Sequence, residues 1–271
     1  MMVPENLKSK DTIFHYCKSQ TAIEYILFNK EIKLSPRKKS IDPLENSVIR
    51  ILKSVVVIDE DIENRTEKES QELYDFLYER EETVKQACFC LNDESKNGTD
   101  EYYGFLKPRM WDQYGDNYKG VCIAFDKKKL LENSIIELRK DIKYLTYNDL
   151  NKYDLDINHN ILYKIGVSKY RKQLIKNQNQ LFLRKHIDYK DEKEFRICAF
   201  DKNEYINIKN SINGIIIIPK LINKYTQECL VSYSKELKIP LLYLTLDAEG
   251  FNNIEIEPHS DILKIIPECS R

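Results

Sequence analysis

Glu192 and Glu194 stand one residue apart in Tyr189-Lys-Asp-Glu-Lys-Glu-Phe-Arg196, at the entrance to an apolar run. Residues at that spacing on an extended chain share a face. Two carboxylates on one face can be aimed into a site, and a solvated turn would place them there as well. The pattern Glu-x-Glu is cheap in a chain with 44 acidic residues, and it recurs at 67/69, 79/81 and 255/257. The first two fall on charged helical faces and are expected to be solvated; the third lies in a candidate strand near the C-terminus. Glu192/Glu194 precedes a predicted strand and is followed in alternation by Arg196. That arginine could pair with either carboxylate, which would make the pair structural.

Other chemistry-bearing residues are sparse. His15, in Phe14-His15-Tyr16, ends the first predicted strand; at a sheet edge a satisfied structural histidine is the plainer reading. Arg109-Met-Trp-Asp-Gln-Tyr114 carries the single tryptophan, Trp111, which reads as a packed aromatic on a short helix. Cys88-x-Cys90 lacks a second Cys pair or a His pair at zinc-ligand spacing, so no metal is expected. No Gly-x-Gly-x-x-Gly follows a predicted strand, which argues against a hydride-transferring dinucleotide enzyme.

The elements that must position these residues form an α/β mixture. Strands are predicted at 12–16, 32–34, 84–91, 120–125, 195–200, 214–218 and 241–246. Helices are predicted from Ser19 or Thr21 to 29, and over 44–57, 69–84, 110–114, 166–187 and 222–237. The β-branched run 214–218 should be central in a sheet, because only a strand covered on both faces is apolar throughout. Residues 92–101 read as a loop.

With 271 residues, 42% of them hydrophobic, the chain can bury a sizeable core. A net charge of −1 gives no global pull toward nucleic acid or membrane. No apolar run has spanning length and the N-terminus lacks a signal-peptide pattern. Seven cysteines scattered mostly through apolar runs predict reduced thiols in a cytoplasmic protein rather than a disulfide framework.

The order of these pieces resembles DUF2971, a family of bacterial proteins. The matching stretches are IFHYCKSQTAIEYIL, the element Asp42-Pro43-x-Glu45, ACFC, MWDQYGDNYKGVCIAFD and DEKEFR, covering about residues 12–200, with strand 214–218 and its helix added. Ile41 stands where the family usually has asparagine, and Tyr189 where a tryptophan is frequent. On that reading residues 1–271 form one domain with its core at about 12–246.

A more distant similarity is to ADP-ribosyltransferases of the poly-ADP-ribose polymerase type. It lies in the order of a strand ending in His15, a helix, a short strand, then Ala87–Cys90, Tyr114, Gly120–Asp126 and Glu194. The resemblance implies an α/β (α+β) single domain with a split or mixed central sheet. It implies NAD as substrate, no metal, and either transfer of ADP-ribose to a protein or nucleic acid or hydrolysis of NAD. Glu194 would be catalytic, and Glu192 would face the acceptor or a water. His15 would anchor the adenosine half, and Tyr16 or Tyr114 would stack on nicotinamide. Arg109, Trp111 and Arg196 are the further cofactor-binding candidates. Such an enzyme suits a toxin or anti-phage effector, with a possible partner or regulator protein. Two alternatives stand beside it: a nuclease or RNA-modifying enzyme gathering His15, Arg109, Lys185, His186 and Arg196 around a phosphate, and a non-catalytic nucleotide-binding or phage-sensing module.

Overall fold

A computed structural model describes residues 3–40, 42, 45, 51–54, 60–132, 137–150, 155–200, 204–248 and 250–256. The chain opens with β1 (Thr12–Cys17), a helical turn over Ser19–Leu27, β2 (Glu31–Lys33) and β3 (Ser35–Pro36). β4 (Ile51–Ser54) and the long helix Glu60–Thr83 lead into β5 (Lys85–Leu91). After the short helix Pro108–Gln113 come β6 (Val121–Asp126), β7 (Leu138–Asp141), β8 (Lys143–Leu145) and β9 (Leu155–Asn158). Helices His159–Ile165 and Val167–Phe182 precede β10 (Arg184–His186) and β11 (Glu194–Ala199). β12 (Tyr205–Asn207), β13 (Ile212–Ile217), helix Lys224–Leu237, β14 (Leu241–Asp247) and β15 (Gly250–Ile256) complete the described fold.

Nine strands form one mixed sheet in the order β15-β14-β13-β6-β1-β5-β11-β7, with β3 joined to β5. β13 and β14 run parallel; the other neighbours in this sheet are antiparallel. The architecture is α+β, as expected. β13 is interior, between β6 and β14, and Ile215, Ile216 and Ile217 are fully buried.

Strand alternation divides the core. Ile13, Ile123, Phe125, Ile215 and Ile217 pack on one face beneath the turn at Ile26 and Leu27. Phe14, Tyr16, Cys122, Ile216 and Leu242 pack on the other, around Trp111. A third cluster joins helix Glu60–Thr83 to helix Val167–Phe182 through Leu73, Leu77, Tyr170, Leu174 and Leu181. The 4,4,3 spacing of Tyr170, Leu174, Gln178 and Leu181 is the buried stripe of that second helix.

Two of the expected helices need correction. Of the helix expected over 44–57, residues 51–54 are instead β4, paired in parallel with β9 from Ile51↔Leu155 to Ser54↔Asn158; most of the remainder lies outside the described residues. Periodicity alone does not separate a short apolar strand from a helix, and here the partner strand decides. The helix expected over 166–187 ends at Phe182. Leu183 leaves helical geometry at φ −107° and ψ 29°, and Arg184, Lys185 and His186 then pair with β8.

The six cysteines among the described residues are all free thiols. Glu81, expected to be solvated, is buried at 1% exposure, where its charge acts on the buried Arg37 guanidinium.

Candidate functional site

β1 lies between β6 and β5 but does not treat them alike. It pairs with β6 along its whole length, from Thr12↔Asp126 to Cys17↔Val121. With β5 it pairs only at Ile13↔Leu91 and Phe14↔Cys90. Beyond Phe14 the two strands part, and a cavity of about 650 Å³ opens between them, within the usual range for ligand sites. His15, Ile26 and Phe89 line it from one face of the sheet, Tyr114, Glu192 and Glu194 from the other.

His15 spans the edge of the gap, its Nδ1 donating to the Cys88 carbonyl at 3.0 Å. A carbonyl only accepts, so the proton sits on Nδ1. Burial pushes the imidazole pKa down, the bond to Cys88 partly opposing it, so Nε2 keeps its lone pair at neutral pH.

The carboxylates owe their placement to a turn. After β10, residues Ile187–Glu192 form a 3-10 turn, and Lys193 adopts left-handed geometry at φ 46°. The chain then enters β11 with Glu192 and Glu194 both turned toward Lys185. The Lys185 Nζ lies 2.7 Å from Glu192 Oε2 and 3.5 Å from Glu194 Oε2. Arg196, next on the same face of β11, binds the other Glu194 oxygen at 2.7 Å, donates to the Phe182 carbonyl at 3.0 Å and pairs with Glu45. Ser40 completes the chain by donating to Glu45 Oε2. The Glu194 backbone N–H donates to the Tyr144 hydroxyl at 2.8 Å.

All five charged groups are nearly inaccessible, at 1–5% exposure. Three carboxylates thus face two cations in a low-dielectric layer. Burial works against the Lys185 ammonium, but Glu194, Glu45 and Glu192 outweigh it and raise its pKa, so the amine is a charge and not a nucleophile. Burial likewise works against Glu45, yet Arg196 and Lys185 bring its pKa down to about 2. For Glu192 burial wins over Lys185 and the pKa is raised. Its Oε1 has only long contacts, 3.4 Å to the Tyr114 hydroxyl and 4.0 Å to Arg109 Nη2. Glu192 therefore presents the less engaged carboxylate oxygen, whereas Glu194 is held on both.

The structure brings His15, Tyr16, Tyr114, Glu192 and Glu194 to one cavity. Arg109 stands beside it, over the Tyr189 ring at 4.6 Å. Two of the sequence candidates are elsewhere. Trp111 is wholly buried, with its indole N–H on the Phe105 carbonyl and its ring edge-on to Tyr16 at 5.2 Å. Arg196 lies behind Glu194, where its donors serve Glu194, Glu45 and Phe182. Tyr16 also gives its hydroxyl to the Gly104 carbonyl, which fixes it as a wall rather than a stacking platform. Lys185 and Glu45 had no assigned place in a carboxylate site. The sequence offered Lys185 only as a phosphate contact, and the expected helix over 166–187 hid its place beside the Glu pair. No group of three or more metal-ligating side chains occurs among the described residues, and no helix there is long and apolar enough to cross a membrane.

Residues 110–197 match the model of DUF2971, described as a protein of unknown function. That span holds Tyr114, Lys185, Glu192, Glu194 and Arg196; the N-terminal pieces with His15 and Glu45 fall outside it. No curated protein and no solved structure matches.

Proposed function

We propose that the gap between β1 and β5 binds NAD and that the protein cleaves its nicotinamide–ribose bond, passing ADP-ribose to a protein or nucleic-acid acceptor or to water. The observation that carries this reading is the convergence of His15, Tyr114, Glu192 and Glu194 on one cavity where the sheet splits. In such a cleavage nicotinamide leaves with the bonding electron pair and the ribose carbon develops oxocarbenium character, as in glycoside hydrolysis. A fixed carboxylate stabilises that charge. Glu192 takes this role, which the resemblance gave to Glu194: Lys185 fixes one Glu192 oxygen, and the other is turned toward Tyr114. Glu194, held by Arg196, shares Lys185 and keeps the ammonium in register. The acceptor attacks the same carbon and gives its proton to the Glu192 carboxylate. His15 Nε2 accepts from a ribose hydroxyl. Loss of NAD by this route suits a toxin or defence effector.

A phosphate-centred nuclease site has less support. His186 is not on the cavity; its ring lies 4.0 Å from that of Tyr147, and its Nδ1 is 3.2 Å from Asp188. Among the described residues, His15 is thus without a second imidazole there.

Nicotinamide release from NAD tests the proposal. Wild type should release it, and Glu192→Gln should slow release on the order of 10²–10³-fold with the fold intact. Equal rates in the two proteins would remove Glu192 from the reaction. No release by wild type alone or with cell extract would remove the reaction itself.

A further inference from the structure

The part of the cavity lined by β2, β3 and β12 carries a different chemistry. Tyr25 and Tyr205 both line it, and both are half exposed, at 58% and 50%. Tyr25 projects from the π-helical turn Ala22–Leu27, a wide turn of a kind often found at binding sites. Tyr205 sits on β12 opposite Lys33 of β2, whose ammonium lies 5.9 Å from the tyrosine ring centre. Two residues along the chain from Lys33, Ser35 pairs with Gln86 of β5. Leu34, between them, donates its N–H to the Glu204 carbonyl at 2.7 Å, and Glu204 also pairs with Lys85 at 2.9 Å. Tyr205 and Gln86 thus each pair with the segment 33–35, and both line the cavity.

Gln86 is the unusual member. It is 7% exposed, it lines the cavity, and its Oε1 has no hydrogen-bond partner. A buried amide oxygen without a donor is costly, and native structures seldom keep one without a use. An amide offers one acceptor and one donor in a plane, which matches the amino group and N7 of adenine, an edge where the oxo counterpart presents two acceptors. Exposed tyrosine rings beside it supply stacking surface for a base.

We propose that Tyr25, Tyr205 and Gln86 form a base-binding end of the cavity that selects an amino-purine, adenine, over its oxo counterpart. This rests on the nucleotide-cleaving reading for its biological meaning and deepens it: the adenine end lies toward Tyr205 and the scissile bond toward Glu192.

Calorimetric titration with AMP and with IMP tests the inference without turnover. The two differ where an amino group is replaced by a carbonyl, so an unsatisfied donor-acceptor match separates them. Wild type should bind AMP roughly tenfold more tightly than IMP. Gln86→Leu should equalise the two. Tyr205→Leu, at an exposed position that the fold tolerates, should weaken both by roughly tenfold and keep their ratio. Equal binding of AMP and IMP by wild type, or binding of neither, overturns the inference, as does an unchanged ratio in Gln86→Leu. Nicotinamide release, measured on the same samples, keeps the two proposals apart. Release with no AMP preference sinks the base-binding end alone; an AMP preference that Gln86→Leu removes, without release, sinks the cleavage alone.

Discussion

The two sides of β1 show what a sheet does when its ladder closes and when it stops. Toward β6 the six residues Thr12–Cys17 all have register partners, and the strand β6 residues opposite them are buried from Val121 to Phe125. Backbone groups are satisfied by the ladder, so the side chains on both faces of β6 are free to be apolar, and from Val121 to Phe125 they are. Toward β5 the ladder ends after Phe14, and backbone groups facing the gap need other partners. His15 supplies one by bonding the Cys88 carbonyl. The face of β11 nearest the gap carries Glu194 and Arg196, while Phe195 and Ile197 on its opposite face belong to the apolar core. Chemistry therefore gathers where the hydrogen-bond ladder fails, and the buried charges there must satisfy one another.

The largest expected effect tests that mutual satisfaction. Arg196→Met keeps length and apolar volume but leaves Glu194 and Glu45 without their shared guanidinium. Removing one partner of a buried ion pair costs about 3–5 kcal/mol, because the remaining charge is stranded. Urea unfolding should show a loss of that size. A loss below ~1 kcal/mol, the scale of a surface pair, would mean the open side of β1 is as solvated as the molecule's exterior.

Much of this difference was legible in the residues, and some of it was not. The closed side was the easier: Gly214-Ile-Ile-Ile-Ile218 read as an interior strand because a continuous apolar β-branched run needs cover on both faces, and 120–125 read as a strand. His15 and Glu194 were found because each ends or begins a predicted strand. Arg196 was seen as a partner for the carboxylates but also given to the cofactor; its burial settles where its donors go. Lys185 was named only as a phosphate contact, and its place beside the carboxylates was concealed because the helical pattern of 167–182 runs on into Arg184 and Lys185 with nothing local to stop it. The stop is tertiary: β8 pairs with Arg184–His186. Glu45 was quoted only as part of Asp42-Pro43-x-Glu45, and its role depends on an arginine that lies 151 positions away. Gln86 gave no signal, since an unpartnered oxygen exists only in the folded molecule.

The next effect separates two carboxylates of the same layer by pH. Glu45, ordinarily near 4.5, is depressed to about 2, so it contributes stability that is complete above about pH 5 and is lost as pH falls toward 2. Glu192 is shifted the other way: its burial costs stability as pH rises through the carboxylate range. Glu45→Gln should therefore destabilise the protein by roughly 2–4 kcal/mol at pH 7 and flatten the acid limb of its stability curve. Glu192→Gln should cost much less at pH 7 and leave the acid limb in place. Urea midpoints between pH 2 and 7 for both variants decide this. Similar curves would show that Arg196 and Lys185 do not divide the layer into a structural and a reactive carboxylate.

The smallest effect concerns Tyr114, which touches the open side alone. Its hydroxyl donates to Glu192 Oε1 across 3.4 Å, a long bond, and burial followed by the Glu192 charge pushes the phenol pKa above its ordinary value. The group therefore stays protonated at neutral pH and donates to Glu192. Tyr114→Phe removes that donor and keeps the ring. The lost bond should cost about 0.5–1.5 kcal/mol at most, a net change of up to roughly tenfold in nicotinamide release, with stability nearly unchanged. It should also move the acid limb of the pH–rate profile upward, since Glu192 loses one of the contacts that favour its charged form. A rate unchanged across that profile would place the Tyr114 hydroxyl outside the reaction. An unfolding midpoint lowered as far as in Arg196→Met would make the open side of β1 as structural as the closed one.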